Sequence, residues 1–441
     1  MGNLNDELCA LLKSAVDEGL APGLGAVALS HNGVFASSAA GVYSPTDHRP
    51  LTDESTFWLA SCSKLPLALV ALLVVEKYGF DMDSVEELAK LIPEFDPGRG
   101  KGAGAVFVCW EKDEGGKRQP ILKKPEKGIT LRQLLLHTGG FWVPFTWEVG
   151  ADLKDANEPY LTLKKLDVPR AFEAGTQFLY GECSNWVAEF IERISASKGI
   201  HKNISELHKE LLFDPLGISS DDLNFHITPS IKQRLVPSMA MQVNEDFSSP
   251  LKPQQSLIFS VMQPQYDTPD GSPPEGWKWE TGAGLHGSLL AFSKILHSVL
   301  LHSRTPSGSS LLSPSLFEEA RADGLKGAGI MLPSPPWEMS DSPAMSRFDK
   351  FLESEGEQEG LANGWCLLNG MVANDKTKYG LEKGTIGWGG LMNTYWFVDF
   401  ELGVAAVVSA QFVPFSEREM MKFRDRFMSW VVEKKRENAE L

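Results

Sequence analysis

The chain has 441 residues, 42% hydrophobic and 23% charged, enough for one large or two interleaved domains around a substantial core. A formal charge of −16 argues against bare nucleic acid or an anionic membrane surface as a partner. The longest apolar run, residues 65–75, is too short to cross a bilayer.

The start, MGNLNDELCALLKSAVDEGL, carries acids where a secretion signal needs a basic stretch. It reads instead as an amphipathic helix with Leu8, Leu11, Leu12 and Val16 inward. Two alternating runs around His31-Asn32-Gly33 follow as a hairpin. Residues 53–79 read as a loop and then a helix ending at Gly79, with Pro66 in its first turn, where a missing N–H costs least. A second hairpin is expected to turn at Gly115-Gly116, and ITLRQLLLH reads as helical. NWVAEFIERIS places Trp186, Phe190 and Ile194 on one helical face. Residues 141–178 are loop-rich, and 227–280, rich in Pro and Gln, are expected to form long loops. GSLLAFSKILHSVLLHS is a further helix, NTYWFVDF and VAAVVSAQF are strands, and a last helix spans 416–435. Strands at both ends with helices between predict an α+β fold. Residues 1–56 and 280–441 complete a central antiparallel sheet flanked by helices, and 57–279 form a mostly helical insertion that carries the site to the interface. The five cysteines are scattered and contain no CxxC, which fits reduced thiols in a cytoplasmic protein.

The chemistry concentrates in Ser61-Cys62-Ser63-Lys64, just before the apolar run. Residues three apart share a helix face, so Lys64 is placed to serve Ser61 rather than Cys62 or Ser63. A serine becomes nucleophilic when a neighbour takes its proton, and a helix N-terminus stabilises an oxyanion. A second S-x-x-K, Ser195-Ala196-Ser197-Lys198, closes a helix before Gly199 and reads as a solvated terminus in polar surroundings. His137 reads as a loop-fixing residue, because the chain has no G-x-S-x-G elbow for it to serve. Cys62 and Cys183 read as buried fillers. With no HExxH, Walker loop or complete dinucleotide motif, neither cofactor nor metal is expected.

In order along the chain, EGLAPGLGAVALSHNGVFASSAAG, STFWLASCSKLPLALVALLVVEKYGF, ITLRQLLLHTGGF, FEAGTQFLYGECSNWVAEFIERI, LLFDPLGI, TGAGLHGSLLAFSKIL and GWGGLMNTYWFVDFELGVAAVV resemble the serine β-lactamase and penicillin-binding-protein superfamily. The likeness is to its class C-like esterases and transesterases, the fungal transesterases above all. That resemblance implies Ser61 as the acylated nucleophile, Lys64 as its proton acceptor and Tyr180 as a phenol relaying protons to the leaving group and from the acceptor. The family's Tyr-Ser-Asn becomes Tyr180-Gly181-Glu182, without the Asn. Its Lys-Thr-Gly becomes Trp388-Gly389-Gly390, while Lys383-Gly384-Thr385 lies too early to replace it. An apolar wall then stands where a β-lactam carboxylate would find its cation. The second oxyanion donor is the N–H of Gly390 or of Leu391, and Trp142 and Trp147 are candidates for the substrate pocket or for core packing.

The resemblance implies a serine acyltransferase (transesterase) that moves an acyl group from a small-molecule thioester or ester to a hydroxyl of a secondary metabolite. The alternatives are a carboxylesterase using the same acyl-enzyme and, from another class, a non-catalytic binding protein on this scaffold. Residues 99–127 carry eight basic and four acidic side chains, a positive stretch in an acidic chain. It reads either as a solvated hairpin or as a docking patch for an acidic acyl carrier protein.

Overall fold

Alternation along three strands builds the centre of the molecule. Val27, Leu29, Trp396, Val398, Ala405 and Val407 are buried in one core, while Ala26, Ala28, Tyr395, Phe397, Ala406 and Val408 are buried in another. Side chains on a strand point alternately to opposite faces, so these strands are covered on both sides. The computed structural model describes residues 4–112, 116, 118–141, 162–242, 252–253, 278–330, 364–413, 415–416, 418–438 and 440–441.

In chain order, helix α1 (Leu4–Asp17) precedes the hairpin β1 (Gly23–Ser30) and β2 (Gly33–Gly41), the short strand β3 (Thr56–Trp58) and helix α2 (Lys64–Tyr78). The hairpin β4 (Val106–Lys112) and β5 (Arg118–Lys123), then helices α3 (Leu131–Leu135) and α4 (Cys183–Ser197), come next. Strand β6 (His286–Ser288) leads directly into α5 (Leu289–Leu300). Strands β7 (Gly364–Trp365), β8 (Met371–Val372), β9 (Ile386–Gly390), β10 (Thr394–Asp399) and β11 (Val404–Ser409) precede the final helix α6 (Arg418–Glu437).

One sheet runs β7-β8-β9-β10-β11-β1-β2, with every neighbour antiparallel. Val27 pairs with Val407 and Trp388 with Trp396, so the N- and C-terminal segments complete a single sheet. Helices α1 and α6 cover one face through Leu8, Leu12, Phe423, Phe427 and Val431. Helix α5 covers the other through Phe292, Ile295 and Val299, in a core that continues into α2 and α4.

Helix α2 is apolar on all sides and buried from Lys64 through Leu72, as a helix at the centre of a large core must be. It stops at Gly79, whose φ of +63° is the left-handed conformation that glycine adopts without a Cβ clash. Trp186 and Phe190 on α4 pack on Phe95 and Phe80, with ring centroids 4.8 Å apart in both pairs. Strand β3 pairs with β6, Trp58 opposite His286, which brings residues 281–285 beside the turn that opens α2.

Three expectations change. Residues 227–280 are not all loop: Thr228 caps a helix at Pro229–Arg234, and Met239–Gln242 pairs in parallel with Phe412–Val413. The Thr-Pro start was the overlooked signal; residues 243–251 and 254–277 lie outside the described residues, as does Gly115 of the expected turn. Ser195 is fully buried, so only the Lys198 end of the second S-x-x-K is exposed. The last helix begins and ends two residues later than expected. Among the described residues, no helix is long and apolar enough to cross a membrane.

Burial pushes His208 and His286 down to about 4, and burial together with the charge of Lys64 pushes His137 down to about 3. The unfolded chain, with ordinary histidines near 6.5, therefore binds more protons than the native one below that pH. Stability is fully present above about pH 6.5 and falls as the medium is acidified. Urea unfolding at pH 7 and pH 5 is expected to show a loss of about 2 kcal/mol per buried histidine at the lower pH. Identical midpoints at both values would contradict the burial of these rings.

Candidate active site

Spacing alone put Ser61 and Lys64 on one α-helix. Instead Ala60–Ser63 form a 3-10 turn, and α2 begins at Lys64. In such a turn residues i and i+3 eclipse, so Ser61 still stacks against Lys64, and Nζ donates to Ser61 Oγ over 3.2 Å. The turn is tight because Ala60 is left-handed (φ +45°) and Ser63 ties it down. Ser63 Oγ donates to the Ala60 carbonyl (2.5 Å) and accepts the Leu285 N–H (3.0 Å). Ser63 is therefore occupied in holding the turn. Cys62 is fully buried, its thiol points at the Thr394 carbonyl, and burial pushes its pKa far up, so it stays protonated. Ser61 is the partly exposed member of the three.

Lys64 is 5% exposed, and its second hydrogen bond goes to the Gly282 carbonyl at 2.7 Å. A Cβ on residue 282 would lie 3.2 Å from Nζ and 3.1 Å from the Ser184 Cβ, so a glycine lets the backbone come this close. Asn185 on α4 fixes that backbone. Its Oδ1 accepts from Thr281 Oγ1 (3.0 Å) and the Gly282 N–H (3.4 Å), while Nδ2 donates to Glu280 (2.6 Å) and to Glu182. Position 182 is a glutamate, and the Asn185 amide is linked to the lysine only through the backbone of Gly282.

Tyr180 lies beside this pair. Lys64 Nζ sits 4.7 Å from the centre of its ring, and its hydroxyl accepts a hydrogen bond from Trp388 Nε1 at 3.0 Å. Trp388 stands on β9, edge-on to the fully buried Trp365. His137 is fully buried; its Nε2 donates to Asn369 Oδ1 (2.9 Å), and its Nδ1 accepts the Gly181 N–H (3.3 Å). The Gly181 contact sets the tautomer, and burial keeps the ring neutral.

The end of β9 closes the arrangement. A Cβ on Gly390 would fall 2.4 Å from the Leu59 carbonyl, and one on Gly389 would fall 3.0 Å from the Tyr395 ring. Only bare backbone fits so near the Ser61 turn. Leu391, 39% exposed, stands at the rim, and Trp142 and Trp147 lie outside the described residues. The structure therefore brings Ser61, Lys64, Tyr180, Trp388 and Gly390 together, while Gly389 faces Tyr395 and Phe415 on the other side of the strand. Sequence reasoning missed Trp365, Asn369, Asn185 and the carbonyl of Gly282. For Asn185 there was no local signal, since it shares its side of the helix with Glu189 and Glu192. In the basic segment, Arg99 is paired with Asp167 and Lys123 with Glu173, so acids from outside the segment neutralise two of its cations.

A partly exposed serine with a buried lysine on its hydroxyl, on this sheet-and-helix scaffold, is the arrangement of a serine hydrolase or acyltransferase. The chain belongs to the Beta-lactamase family, whose model matches residues 10–426. It is 26% identical to the acyltransferase calJ of Penicillium decumbens over 83% of this chain and 78% of that protein. It is also 26% identical to the lovastatin esterase of Penicillium rubens, over 43% of this chain and 45% of the relative. A mutant of the simvastatin synthase of Aspergillus terreus has the same fold, with a TM-score of 0.72 at 20% identity over 99% of both chains.

The geometry separates the two serines. Ser61→Ala is expected to abolish any covalent acyl adduct while leaving stability nearly unchanged. Ser63→Ala should still be acylated at Ser61 but should lose about 1–3 kcal/mol, because the Leu285 N–H loses its acceptor. Peptide mapping of the adduct and urea unfolding of both variants check this; an adduct on Ser63 or Cys62 would overturn it.

Proposed function

We propose that this serine hydrolase/acyltransferase is a transesterase, taking an acyl group from a small-molecule thioester or ester and passing it to a hydroxyl of a secondary metabolite. The observation that carries the reading is the contact of Lys64 Nζ with Ser61 Oγ at 3.2 Å, with Nζ otherwise anchored on a neutral carbonyl. Ser61 Oγ attacks the acyl carbon as its proton passes to Lys64, and the carbonyl oxygen takes the negative charge. The N–H of Ser61 and a strand-end N–H, of Gly390 or Leu391, are the proposed donors to that oxyanion. The carbon–sulfur or carbon–oxygen bond then breaks, with Tyr180 handing a proton to the leaving group and regaining one from Lys64, which is thereby returned to its neutral form. In the second half the acceptor hydroxyl gives its proton to the same pair and attacks the acyl-Ser61 ester; the bond from the acyl carbon to Ser61 Oγ breaks, and the proton returns to Oγ. Trp388, backed by the fully buried Trp365, provides an apolar aromatic surface beside the phenol, suited to an apolar acyl or acceptor group.

Attack by water on the same acyl-enzyme gives the second reading, a carboxylesterase; the similarity to both an acyltransferase and an esterase supports keeping it. Incubation with a short acyl thioester, with and without a panel of polyketide alcohols, separates the two by mass spectrometry. A transesterase forms acyl-Ser61 and then more acylated alcohol than free acid. Free acid alone would leave the esterase reading, and absence of both adduct and fluorophosphonate labelling would overturn catalysis.

Lys64→Arg is expected to be as damaging as Lys64→Ala, each costing about 10²–10⁴-fold in kcat, because arginine keeps the charge but cannot accept the serine proton. Near-normal turnover of the arginine variant would make the lysine an electrostatic prop. Penicillins are expected to be poor substrates, since Trp388 occupies the position of the carboxylate-binding lysine. Hydrolysis of benzylpenicillin as fast as that of a simple ester would contradict this.

A further inference from the structure

Tyr180 lies in an irregular stretch between Phe178 and α4, where no strand ladder or helix fixes its backbone. Two hydrogen bonds flank it, and one residue receives both. The Leu179 N–H donates to the His137 carbonyl at 2.8 Å, and the Gly181 N–H donates to His137 Nδ1 at 3.3 Å. Presenting carbonyl and ring to the same segment requires an unusual backbone, and His137 is left-handed, with φ +53°. Its ring packs 4.8 Å from the Tyr180 ring and 5.5 Å from Trp365. The far side of the ring is tied to Asn369, 3% exposed and itself left-handed (φ +56°), in the turn between β7 and β8.

We infer that His137 is a positioning residue for Tyr180, clamping the tyrosine's backbone on both sides and anchoring it to the sheet through Asn369. The inference rests on the proposed proton-relay role of Tyr180. His137 does not exchange protons in turnover: its Nδ1 already faces an N–H donor, so protonation there would break the clamp. The titratable groups facing the ring are Lys64 and Tyr180, and burial with the Lys64 charge keeps the imidazole neutral down to about pH 3.

Two substitutions divide the functions of the ring. Asn tolerates a left-handed backbone and can place an oxygen near the position of Nδ1, keeping the acceptor for Gly181. Gln reaches toward Asn369 but offers no acceptor at Nδ1. Turnover of p-nitrophenyl butyrate is measured for His137→Asn, His137→Gln, Tyr180→Phe and the double variant His137→Gln/Tyr180→Phe, with circular dichroism and thermal melting to confirm folding. His137→Asn should keep kcat within about threefold, and His137→Gln should lose about 10–100-fold in kcat at unchanged KM, as expected for a reacting group displaced by about 1 Å. The pH profile of His137→Asn should keep both limbs of the wild type. In the Tyr180→Phe background, His137→Gln should cost less than about twofold, because its effect passes through the phenol.

An equal fold-loss in both backgrounds, equal kcat for the Asn and Gln variants, or a limb missing from the His137→Asn profile would overturn the inference and leave the Tyr180 assignment standing. Wild-type kcat in Tyr180→Phe would remove the relay role and this inference with it. If His137→Gln does not fold, His137→Gly keeps the left-handed backbone while removing the Nδ1 acceptor, and its kcat loss should likewise vanish in Tyr180→Phe.

Discussion

The Ser63 hydroxyl donates to the Ala60 carbonyl and receives the Leu285 amide, and the geometry of the site follows from those two bonds. They hold Ala60 in a left-handed conformation that an alanine adopts only under constraint. They also fasten the turn to the 281–285 segment, so Ser61, Lys64 and the Gly282 carbonyl are fixed relative to one another. The strand β9 can approach this turn only because position 390 has no side chain. A nucleophile, its lysine and a strand edge are thus registered by backbone contacts, and the side chains that do the chemistry have little freedom left to lose.

Around that turn the polar contacts run through intermediaries. Asn185 acts on the lysine through a carbonyl, and Trp388 touches the phenol through a single indole N–H. A cation at position 388 would have stood beside Lys64 and Tyr180. The indole offers one donor without a charge and, packed on the buried Trp365, leaves the surface beside the phenol apolar. Selection for apolar, uncharged groups near the nucleophile is the physical expectation from such a wall.

Much of this is legible in the sequence. Period-two alternation marked the strands, an uninterrupted apolar stretch marked a central helix, and Gly79 marked its end, because each is a local pattern with a local cause. Ser61 and Lys64 were legible for the same reason, three residues apart. The contacts of His137 with Asn369 and of Lys64 with Gly282 join positions far apart in sequence, and no local rule predicts them. The difference between a 3-10 turn and an α-helix at Ser61 was also hidden, since it depends on Leu285 pulling on Ser63. Motif order carried the family resemblance that linked these separated pieces.

The placement of β1 between β2 and β11 has a consequence for synthesis. The ribosome releases the N-terminal hairpin early, but β11, its partner in the middle of the sheet, comes nearly four hundred residues later. At about 5–20 residues per second the hairpin waits on the order of 20–75 s with one edge unpaired. The helix that opens at Lys64 waits as well, because β9, the strand packed on its leading turn, also emerges late. A nascent chain of this kind presents a sticky strand edge and an apolar helix until β9 and β11 have emerged. Its yield in a foreign host should therefore depend on elongation rate and on chaperones that shield β1, more than on the stability of the finished fold.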